Sequence, residues 1–316
     1  LFVPADTVPV IHPPKTITTI HDIAFERFPE LYRGKSVQRQ LGVLRPIIHG
    51  LVRLVTLGRY GASERDYHRW SVRHALRTCK KILTPSEFSR RELIQLLGAK
   101  SAQVSVTHLG VEQEDFFAHL PRERQQELLA ELNLTRPFFL FLGRLESKKN
   151  IDHLIEAYVS YARRVPDPVD LVLAGSPGYG WEKAAQRITD DVRPHIHELG
   201  FVQDAVARAL QVRATALLMV SRYEGFGIPA VESLAAGVPV VASRAGSLPE
   251  VLGECAKFVD LDDIGQLTSA LDEISRDIHL RQELITRGRS WVKQYTWDRT
   301  AGQTMEQIRS IANLPA

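Results

Sequence analysis

The sequence predicts an α/β protein with two lobes, each built on a sheet of parallel strands. Strand-like and helix-like segments alternate from residue 138 to 260, which is the pattern of βαβ units. The chain has 316 residues, enough for about two domains of ordinary size. Its 44% hydrophobic and 24% charged residues are usual for a globular enzyme. We predict lobes at 1–120 and 121–297, with a helix at 298–316 that packs back on the first lobe.

In the first lobe, β-branched runs and turn residues predict short strands and helical regions. Leu1–Lys15 contains four prolines and is predicted to be a loop. Thr16–Ile20 is a β-branched strand, and residues 33–80 are predicted to be mostly helical. Ser86 opens a helix that Gly98 ends. The further strands predicted in this lobe are Lys81–Thr84 and Val104–Thr107.

In the second lobe, short apolar runs predict buried strands, and amphipathic segments between them predict helices. Residues 119–136 are charged and predicted to be helical. The helices predicted after them are Ile151–Arg164, Val206–Ala214 and Ile228–Ala236, and Leu267–Ser275 begins the last group. The predicted strands are Phe138–Leu142, Leu171–Gly175, Ile196–Phe201, Ala216–Val220, Val238–Ala242 and Lys257–Val259.

The segment Ser221–Ser243 is the most informative part of the chain. Its loop contains Gly225 and Gly227 and leads into a helix, so it presents free backbone N–H groups and the positive end of a helix dipole. Such a terminus binds anions, including a diphosphate. Glu224 lies in the loop, and Glu232 is the only charge in the helix, where it can reach a ribose diol. The segment therefore predicts a sugar-nucleotide site.

Glu224 and Glu232 form an E-x7-E pattern, and Ala236-Gly237-Val238-Pro239-Val240 follows it. In this strand–loop–helix–strand context the pattern resembles the donor site of the retaining glycosyltransferases of family 4. The resemblance covers nearly the whole chain. It implies the GT-B fold, in which two Rossmann-like lobes face each other across a cleft. It also implies transfer of a hexose from a nucleotide sugar to a glycan or lipid-linked acceptor, with retention of configuration.

The same resemblance assigns donor-binding residues in the second lobe. Arg144 and Lys149 match the family's G-R-x4-K-N signature, whose cations grip the donor phosphates. Fixed cations stabilise a leaving diphosphate without proton transfer. Lys148 fits the spacing less well and is expected to be exposed. Glu224 is assigned to the sugar and Glu232 to the ribose. The remaining donor-binding positions are Gly143, Gly175, Val202, Gly225, Phe226, Gly227 and Ile228.

In the first lobe, His21 is the predicted catalytic residue. His21-Asp22 follows a strand and resembles the family's H-D motif, whose histidine reaches the transferred sugar. An imidazole there can donate a hydrogen bond to a hydroxyl or shuttle protons, and Asp22 can orient its ring. Ser86 resembles a family position beside the cleft and is equally well placed as a helix N-cap. His108 is a further, less specific candidate.

The loop Ala174–Glu182 resembles the version found in mannosyltransferases and other hexosyltransferases of O-antigen and capsule assembly, which favours mannose and a GDP-mannose donor. No cofactor and no metal are expected. Cys79 and Cys255 lie far apart, so they give neither a disulfide framework nor metal-ligand spacing. A reducing cytosol is the simplest setting for such a chain. We expect a cytoplasmic protein, peripheral on the inner face of the membrane.

Charge is distributed unevenly along the chain. Residues 33–100 hold 15 Lys or Arg and 4 Asp or Glu, a net charge of +11, whereas the whole chain carries +3. Such a basic segment favours an anionic partner. Within it, Gly42–Gly58 is apolar apart from Arg45 and Arg53, as in a basic amphipathic helix that lies on a membrane. We hypothesise peripheral membrane contact here, and a helix that packs on its own lobe is the open alternative. The segment has no nucleic-acid recognition motif, so no nucleic-acid partner is expected.

Three alternatives stay open. Members of the resembled family begin with a strand and a Gly-rich loop that closes over the donor, and this sequence has neither. We therefore expect an N-terminally truncated chain with an incomplete first lobe, which could bind nucleotide without turnover. Phosphorolysis or epimerisation on the same fold would need a cofactor lysine or another donor loop. A glycosidase would need its carboxyl groups about 5–9.5 Å apart, whereas eight residues of helix rise about 12 Å.

Overall fold

The computed structural model describes residues 1–32, 64–111 and 120–312. The chain forms two compact units, Leu1–His108 with Thr300–Ala316, and Leu109–Arg299. In the described residues, each unit contains a sheet of parallel strands. The segment Gly42–Gly58, predicted as an amphipathic membrane-contact helix, lies outside the described residues.

The sheet of the first unit has four strands in the order β1-β2-β3-β4, and all neighbours are parallel. Its first strand corrects the prediction that Leu1–Lys15 is entirely a loop, because Phe2 pairs with Ile17. Pro4 ends this pairing, since proline has no N–H to continue a ladder. The four strands are β1 (Phe2–Val3), β2 (Ile17–Thr19), β3 (Lys81–Thr84) and β4 (Val104–Val106).

The described helices of the first unit are α1 (Ala24–Arg27), α2 (Glu64–Thr78) and α3 (Glu87–Leu97). Both ends of α3 follow the sequence prediction. Ser86 is its N-cap and accepts a hydrogen bond from the Ser89 N–H, while Gly98 ends it in the left-handed conformation at φ 68°. The apolar core of the unit includes residues from β3 and α2, such as Ile82 and Val72.

The sheet of the second unit has six parallel strands in the order β10-β9-β8-β5-β6-β7. Counted within the unit, this is the 3-2-1-4-5-6 order of the dinucleotide-binding fold. The order reverses between β5 and β8, and open sheets of this kind bind ligands there, beyond the carboxyl ends of the strands. The strands are β5 (Phe138–Leu142), β6 (Asp170–Ala174), β7 (Ile196–Gly200), β8 (Ala216–Met219), β9 (Val240–Ser243) and β10 (Lys257–Val259).

Apolar clusters cover both faces of this sheet. Phe138 and Leu140 belong to one cluster, and Phe139 and Phe141 belong to the other, because successive side chains of a strand point to opposite faces. The helices that cover the sheet or complete the chain are α4 (Arg122–Glu131), α5 (Ile151–Arg164), α6 (Trp181–Ala185), α7 (Asp204–Arg213), α8 (Ile228–Ala236), α9 (Leu248–Leu252), α10 (Ile264–Arg276), α11 (Ile278–Trp291) and α12 (Trp297–Ala312).

A buried carboxylate fastens the amino-terminal edge of the sheet. Asp170, the first residue of β6, has a side chain only 5% exposed. Its Oδ1 lies 3.0 Å from His195 Nδ1 and accepts a 3.1 Å hydrogen bond from Arg136 Nε, and its Oδ2 lies 3.0 Å from His197 Nε2. One side chain thus joins the segments that enter β5, β6 and β7. Removing one member of such a buried, hydrogen-bonded charge network leaves the other members without their partner, and this lowers the stability of the fold.

We expect Asp170→Ala to lower the free energy of unfolding by about 2–4 kcal/mol, since it leaves Arg136 and the two histidines without their shared acceptor. Asp167→Ala is the matched control: Asp167 bonds the same arginine, but its side chain is 83% exposed, so its loss should be below about 1 kcal/mol. Urea denaturation of both variants measures the difference. Equal losses would show that Asp170 acts only as another surface partner of Arg136.

Candidate functional site

The candidate site lies at the carboxyl ends of β5, β6 and β7, where backbone hydrogen bonds tie the chain together. The Gly143 N–H donates to Ala174 O at 2.9 Å, and the Gly175 N–H donates to Gly200 O at 2.7 Å. Gly175 has φ 153°, and a Cβ on it would lie 1.8 Å from the Gly143 carbonyl oxygen. Only glycine permits this approach, so the edge is held by main chain, with no side chains in between.

A cavity of about 580 Å³ opens at this edge. It brings together four residues predicted from the sequence to bind the donor, Gly143, Arg144, Gly175 and Val202. The Arg144 side chain is 46% exposed, and its Nε lies 3.7 Å from Glu146 Oε2. Within the described part of the chain its two terminal nitrogens have no hydrogen-bond partner, which leaves them available to fork an anion.

Lys149 and Glu224 form a largely buried ion pair that joins the loop after β5 to the loop after β8. Lys149 Nζ donates to Glu224 Oε1 at 2.6 Å, and Ser221 Oγ donates to the same oxygen at 2.6 Å. The two charged side chains are 19% and 10% exposed. The other carboxylate oxygen, Oε2, accepts no hydrogen bond from any described residue. Glu224 is therefore fixed through one oxygen and retains acceptor capacity on the other.

Backbone contacts hold the glycine loop, residues 221–227, against its neighbours. The Arg222 N–H donates to Lys148 O at 2.8 Å, and the Ser247 N–H donates to Glu224 O at 3.2 Å. A Cβ on Gly246 would lie 2.7 Å from the Glu224 nitrogen, so this position also needs glycine. Lys148 was expected to be exposed. It is half-buried, and its carbonyl oxygen accepts the hydrogen bond from the glycine loop.

Helix α8 begins at the end of the glycine loop with unpaired donors. Gly227 is its N-cap at φ 100°, and a proline follows in the first turn. The N–H groups of Gly227 and Ile228 have no hydrogen-bond partner among the residues that the structure describes, and Pro229 has no N–H. Two free N–H groups at a helix N-terminus, with the dipole behind them, are suited to an anion.

Glu232 lies just beyond the first turn of α8 and has a specific partner. Gln211, a buried residue of α7, donates from Nε2 to Glu232 Oε2 at 3.0 Å. The sequence showed an isolated carboxylate on an apolar helix, which called for such a partner. Gln211 fixes the orientation of the carboxylate through this hydrogen bond.

Phe226 anchors the glycine loop in the core. Its ring is 4% exposed and meets the Tyr295 ring edge-to-face, with centroids 5.4 Å apart. The Tyr295 hydroxyl donates to Val251 O at 3.0 Å, and burial raises the pKa of Tyr295 to about 12. The aromatic pair explains why Phe226 and Gly225 are buried, whereas Ile228 is 39% exposed at the mouth of the site.

The residues predicted in the first lobe lie in the first unit. His21 follows β2, with Nε2 3.4 Å from Pro4 O, and its own carbonyl accepts from Ser89 Oγ at 3.3 Å. Asp22 Oδ1 accepts at 3.0 Å from the N–H of Ala24, the first residue of α1. Of the two roles open to Ser86, the N-cap is confirmed. The carbonyl of His108 accepts from Thr300 Oγ1 at 2.8 Å.

Four residues of the site were missed by sequence reasoning: Ser221, Arg222, Gln211 and Gly246. Arg222 pairs with Asp262 at 2.9 Å and lies 3.7 Å from Asp152, so it ties the glycine loop to the start of α5. None of the four is one of the motif residues named above. Arg222, Gln211 and Gly246 act through contacts between segments distant in sequence, whereas Ser221 bonds Glu224 three residues further along the loop. In the described ranges, no group of His, Cys, Asp and Glu could hold a metal ion, and no helix is long and apolar enough to cross a membrane.

Comparison with known proteins identifies the family of this site. A model described as "Glycosyl transferases group 1" matches residues 123–291, more than half of the chain. O-antigen chain mannosyltransferase B of Escherichia coli is 28% identical over 94% of this chain and 71% of the relative. The MMP alpha-(1->4)-mannosyltransferase of Mycolicibacterium hassiacum is 29% identical over 76% of this chain and 56% of that protein.

A solved structure shares the fold. Sucrose-phosphate synthase from Thermosynechococcus elongatus superposes with a TM-score of 0.69 at 20% identity, over 95% of this chain and 68% of that one. The predicted α/β class, with parallel sheets of the GT-B type, is confirmed.

The close approach at the strand ends gives a test with a matched control. Gly143 and Gly175 have similar backbone angles, φ 144° and 153°, but only a Cβ on Gly175 meets another atom within 4 Å. We expect Gly143→Ala to lower the free energy of unfolding by about 1–3 kcal/mol through backbone strain, and Gly175→Ala by roughly 3–5 kcal/mol because the clash adds to it. Chemical denaturation compares them. Similar losses would contradict a steric role for Gly175.

Proposed function

The chain belongs to the group 1 glycosyl transferases, and from this premise we propose that it transfers a hexose from a nucleotide sugar to an acceptor. The hexose is mannose, the donor is GDP-mannose, and the acceptor is a glycan or a lipid-linked acceptor. The anomeric configuration is retained. The names of the two mannosyltransferase relatives support the choice of sugar. Because the chain spans 71% and 56% of their lengths, the activity, substrates and partners of the whole protein are part of the proposal.

The observation that carries the proposal is the presence of anion-binding groups after the carboxyl ends of the strands. The guanidinium of Arg144 lines the cavity with free terminal nitrogens, and Lys149 is held in place by its ion pair with Glu224. Among the described residues, the N–H groups of Gly227 and Ile228 have no partner at the start of α8. Two fixed cations and a helix terminus match the charge of a diphosphate. They would stabilise the negative charge that develops as the diphosphate leaves, without a metal ion.

The two glutamates have different tasks in this proposal. Glu224 is fixed by Lys149 and Ser221 through Oε1, so Oε2 can accept a hydrogen bond from a hydroxyl of the transferred sugar. The ion pair also keeps a carboxylate close to the phosphates without net repulsion, because the ammonium of Lys149 balances its charge. Glu232, oriented by Gln211, accepts from the ribose diol. The peptide groups of Val202 have no partner within the described chain and would receive the edge of the base.

The first unit contributes the acceptor side of the proposal. His21 would bond a hydroxyl of the transferred sugar or move a proton, as its resemblance to the H-D motif implies. The basic segment 33–100 would contact an anionic membrane that carries the lipid-linked acceptor. We place this activity in the cytoplasm, at the inner face of the membrane. The alternative is a chain that binds nucleotide at Arg144 and Lys149 but does not turn it over.

Nucleotide binding is the first test. We expect GDP to raise the melting temperature more than UDP, ADP or dTDP at equal concentration. A ligand stabilises the folded protein more the tighter it binds, and the proposed GDP-mannose donor makes GDP the tightest binder of the four. Glu232→Ala should raise the Kd for GDP about 10- to 150-fold, the range expected for a charged hydrogen bond. Glu156→Ala, an exposed carboxylate on α5, is the control. Unchanged GDP affinity in Glu232→Ala would exclude the ribose role.

Transfer is tested separately with GDP-mannose and a mannose-terminated acceptor. Lys149→Gln should lower kcat by about 10²- to 10³-fold, the loss typical of removing one fixed donor to a developing charge. Glutamine keeps a hydrogen-bond donor toward Glu224, so the glycine loop is retained. Lys183→Met, an exposed lysine on α6, should leave kcat unchanged. Binding of GDP without transfer by the parent chain would favour the non-catalytic alternative.

A further inference from the structure

A further cavity of the second unit, of about 720 Å³, lies beside the one that Arg144 lines. Ser176 lines the first cavity and the residues from Pro177 onward line the other, so one loop faces both spaces. Arg144 stands between the two, because a Cβ on Gly178 in the wall of the further cavity would lie 3.0 Å from Arg144 Nε. The further cavity is called the loop cavity, and its wall includes Ser147, Asp152, Tyr179 and Glu182.

Hydrogen bonds fix the backbone that carries Tyr179. The Tyr179 carbonyl oxygen accepts from the Ser147 N–H at 2.9 Å and from Ser147 Oγ at 3.2 Å. On the other side of Tyr179, the Gly178 N–H donates to Leu145 O at 2.8 Å. Gly180 follows at φ 86°, and a Cβ there would overlap Ser147 Oγ, so the close approach needs glycine. The loop after β6 is therefore held tightly against the loop after β5.

The ring of Tyr179 is exposed although its backbone is fixed. It is 51% exposed, whereas Trp181 lines the same cavity and is only 7% exposed. Single exposed apolar residues are common on protein surfaces. This ring differs because it borders a cavity on a backbone that is already ordered, so a ligand that covers it pays little ordering entropy. The ring offers a flat apolar surface whose removal from water is favourable.

Two carboxylates of the loop cavity have unused hydrogen-bonding capacity. Asp152 accepts no hydrogen bond from any described residue, and its Oδ1 is buried without a partner. Its Oδ2 lies 3.7 Å from Arg222 Nη2 and 3.9 Å from His153 Nε2, beyond hydrogen-bond distance. Glu182 is exposed and makes no ion pair within the described ranges. A buried acceptor that lacks a partner calls for one, and a ligand hydroxyl would supply it.

We propose that the loop cavity binds one sugar residue of a neutral glycan. A pyranose has an apolar face of C–H groups, which would cover the Tyr179 ring, and hydroxyl groups at its edge. Those hydroxyls would donate hydrogen bonds to Asp152 and Glu182, because an ionised carboxylate only accepts. A phosphate group has the opposite character, since in its ionised form it also only accepts. The loop cavity is therefore suited to a sugar, whereas the cavity beside Arg144 is suited to a diphosphate.

The use of this site rests on the proposed function, in which the acceptor is a glycan. An acceptor of several sugars would be held at the loop cavity by one residue while another part of the same chain stays near the neighbouring cavity. Such a second contact raises the effective concentration of the acceptor without any change at the reacting groups. The site should therefore favour long acceptors over short ones.

Direct binding is tested by NMR titration of the parent chain, Tyr179→Ala and Tyr179→Phe with a linear mannose tetrasaccharide. Tyr179→Ala should raise the Kd about 3- to 10-fold, the range expected for one aromatic contact. Tyr179→Phe keeps the ring and should bind like the parent. Trp297→Ala is the matched control, because Trp297 is 50% exposed and lines neither of the two cavities. Tyr179 is exposed, so the melting temperature of Tyr179→Ala should equal that of the parent.

Transfer gives a second readout. Tyr179→Ala should reduce the ratio of kcat/KM for the tetrasaccharide to kcat/KM for methyl mannoside by about 3- to 10-fold, since only the longer acceptor can use both contacts. A merely structural role of the loop would lower both values together and leave the ratio at its parent value, which would overturn the proposal.

The binding experiment separates failure of this site from failure of the proposed function. No tetrasaccharide binding by the parent, or equal binding by the parent and Tyr179→Ala, would overturn the glycan site while GDP binding and transfer still stand. Tetrasaccharide binding that depends on Tyr179, in a chain that binds no nucleotide, would support the site and count against the transferase activity.

Discussion

The candidate site depends on the approach of Gly175 to the carbonyl oxygen of Gly143. Because a Cβ on Gly175 would lie 1.8 Å from that oxygen, the ends of β5 and β6 meet backbone to backbone. The hydrogen bonds from Gly143 and Gly175 to the next strand ends then set where each following loop begins. Arg144 and Val202 follow two of these ends, so their places around the cavity are consequences of main-chain geometry.

The two edges of the second unit's sheet differ in how completely their charged and polar groups are hydrogen-bonded. At the amino edge, the buried carboxylate of Asp170 has every partner it needs, and the arrangement contributes stability. At the carboxyl edge, within the part of the chain that the structure describes, Arg144 has spare donors and the first N–H groups of α8 have no partner. Unpaired donors at one edge are tolerated because they stay accessible to water or ligand. The carboxyl edge, whose polar groups have spare hydrogen-bonding capacity, is therefore the edge suited to ligand binding.

The sequence predicted the regular parts of the fold closely. Phe138–Leu142, Ile151–Arg164 and Ile228–Ala236 agree with the structure at both ends. The first is a continuous apolar run, the second an amphipathic helix and the third an apolar helix, and each has a glycine or an asparagine next to at least one of its ends. The strand predicted at Val238–Ala242 begins instead at Val240, after a proline that has no N–H for the ladder. A predicted boundary is wrong where a single residue, such as Pro239 here, decides where the element begins.

The sequence could not predict contacts made by the folded chain alone. Phe2–Val3 is a strand only because Ile17 and its neighbour pair with it, and two residues carry no periodicity. The hydrogen-bond partners of the two site glutamates could not be predicted for the same reason. Gln211 meets Glu232 across two helices, and Ser221 reaches Glu224 only in the folded loop. The glutamates themselves could be found, because a motif and an apolar helix marked them.

The rim of the cavity also bears on how this architecture diversifies. Phe201 and Ser176 are exposed and Ala207 is half-buried, so none of these side chains is a core residue of the sheet. Substitutions there are largely uncoupled from folding, whereas the main-chain scaffold beneath them tolerates few changes. Under the proposed function, a change of nucleotide preference would therefore carry little thermodynamic risk, and directed evolution of that preference would begin among these rim positions.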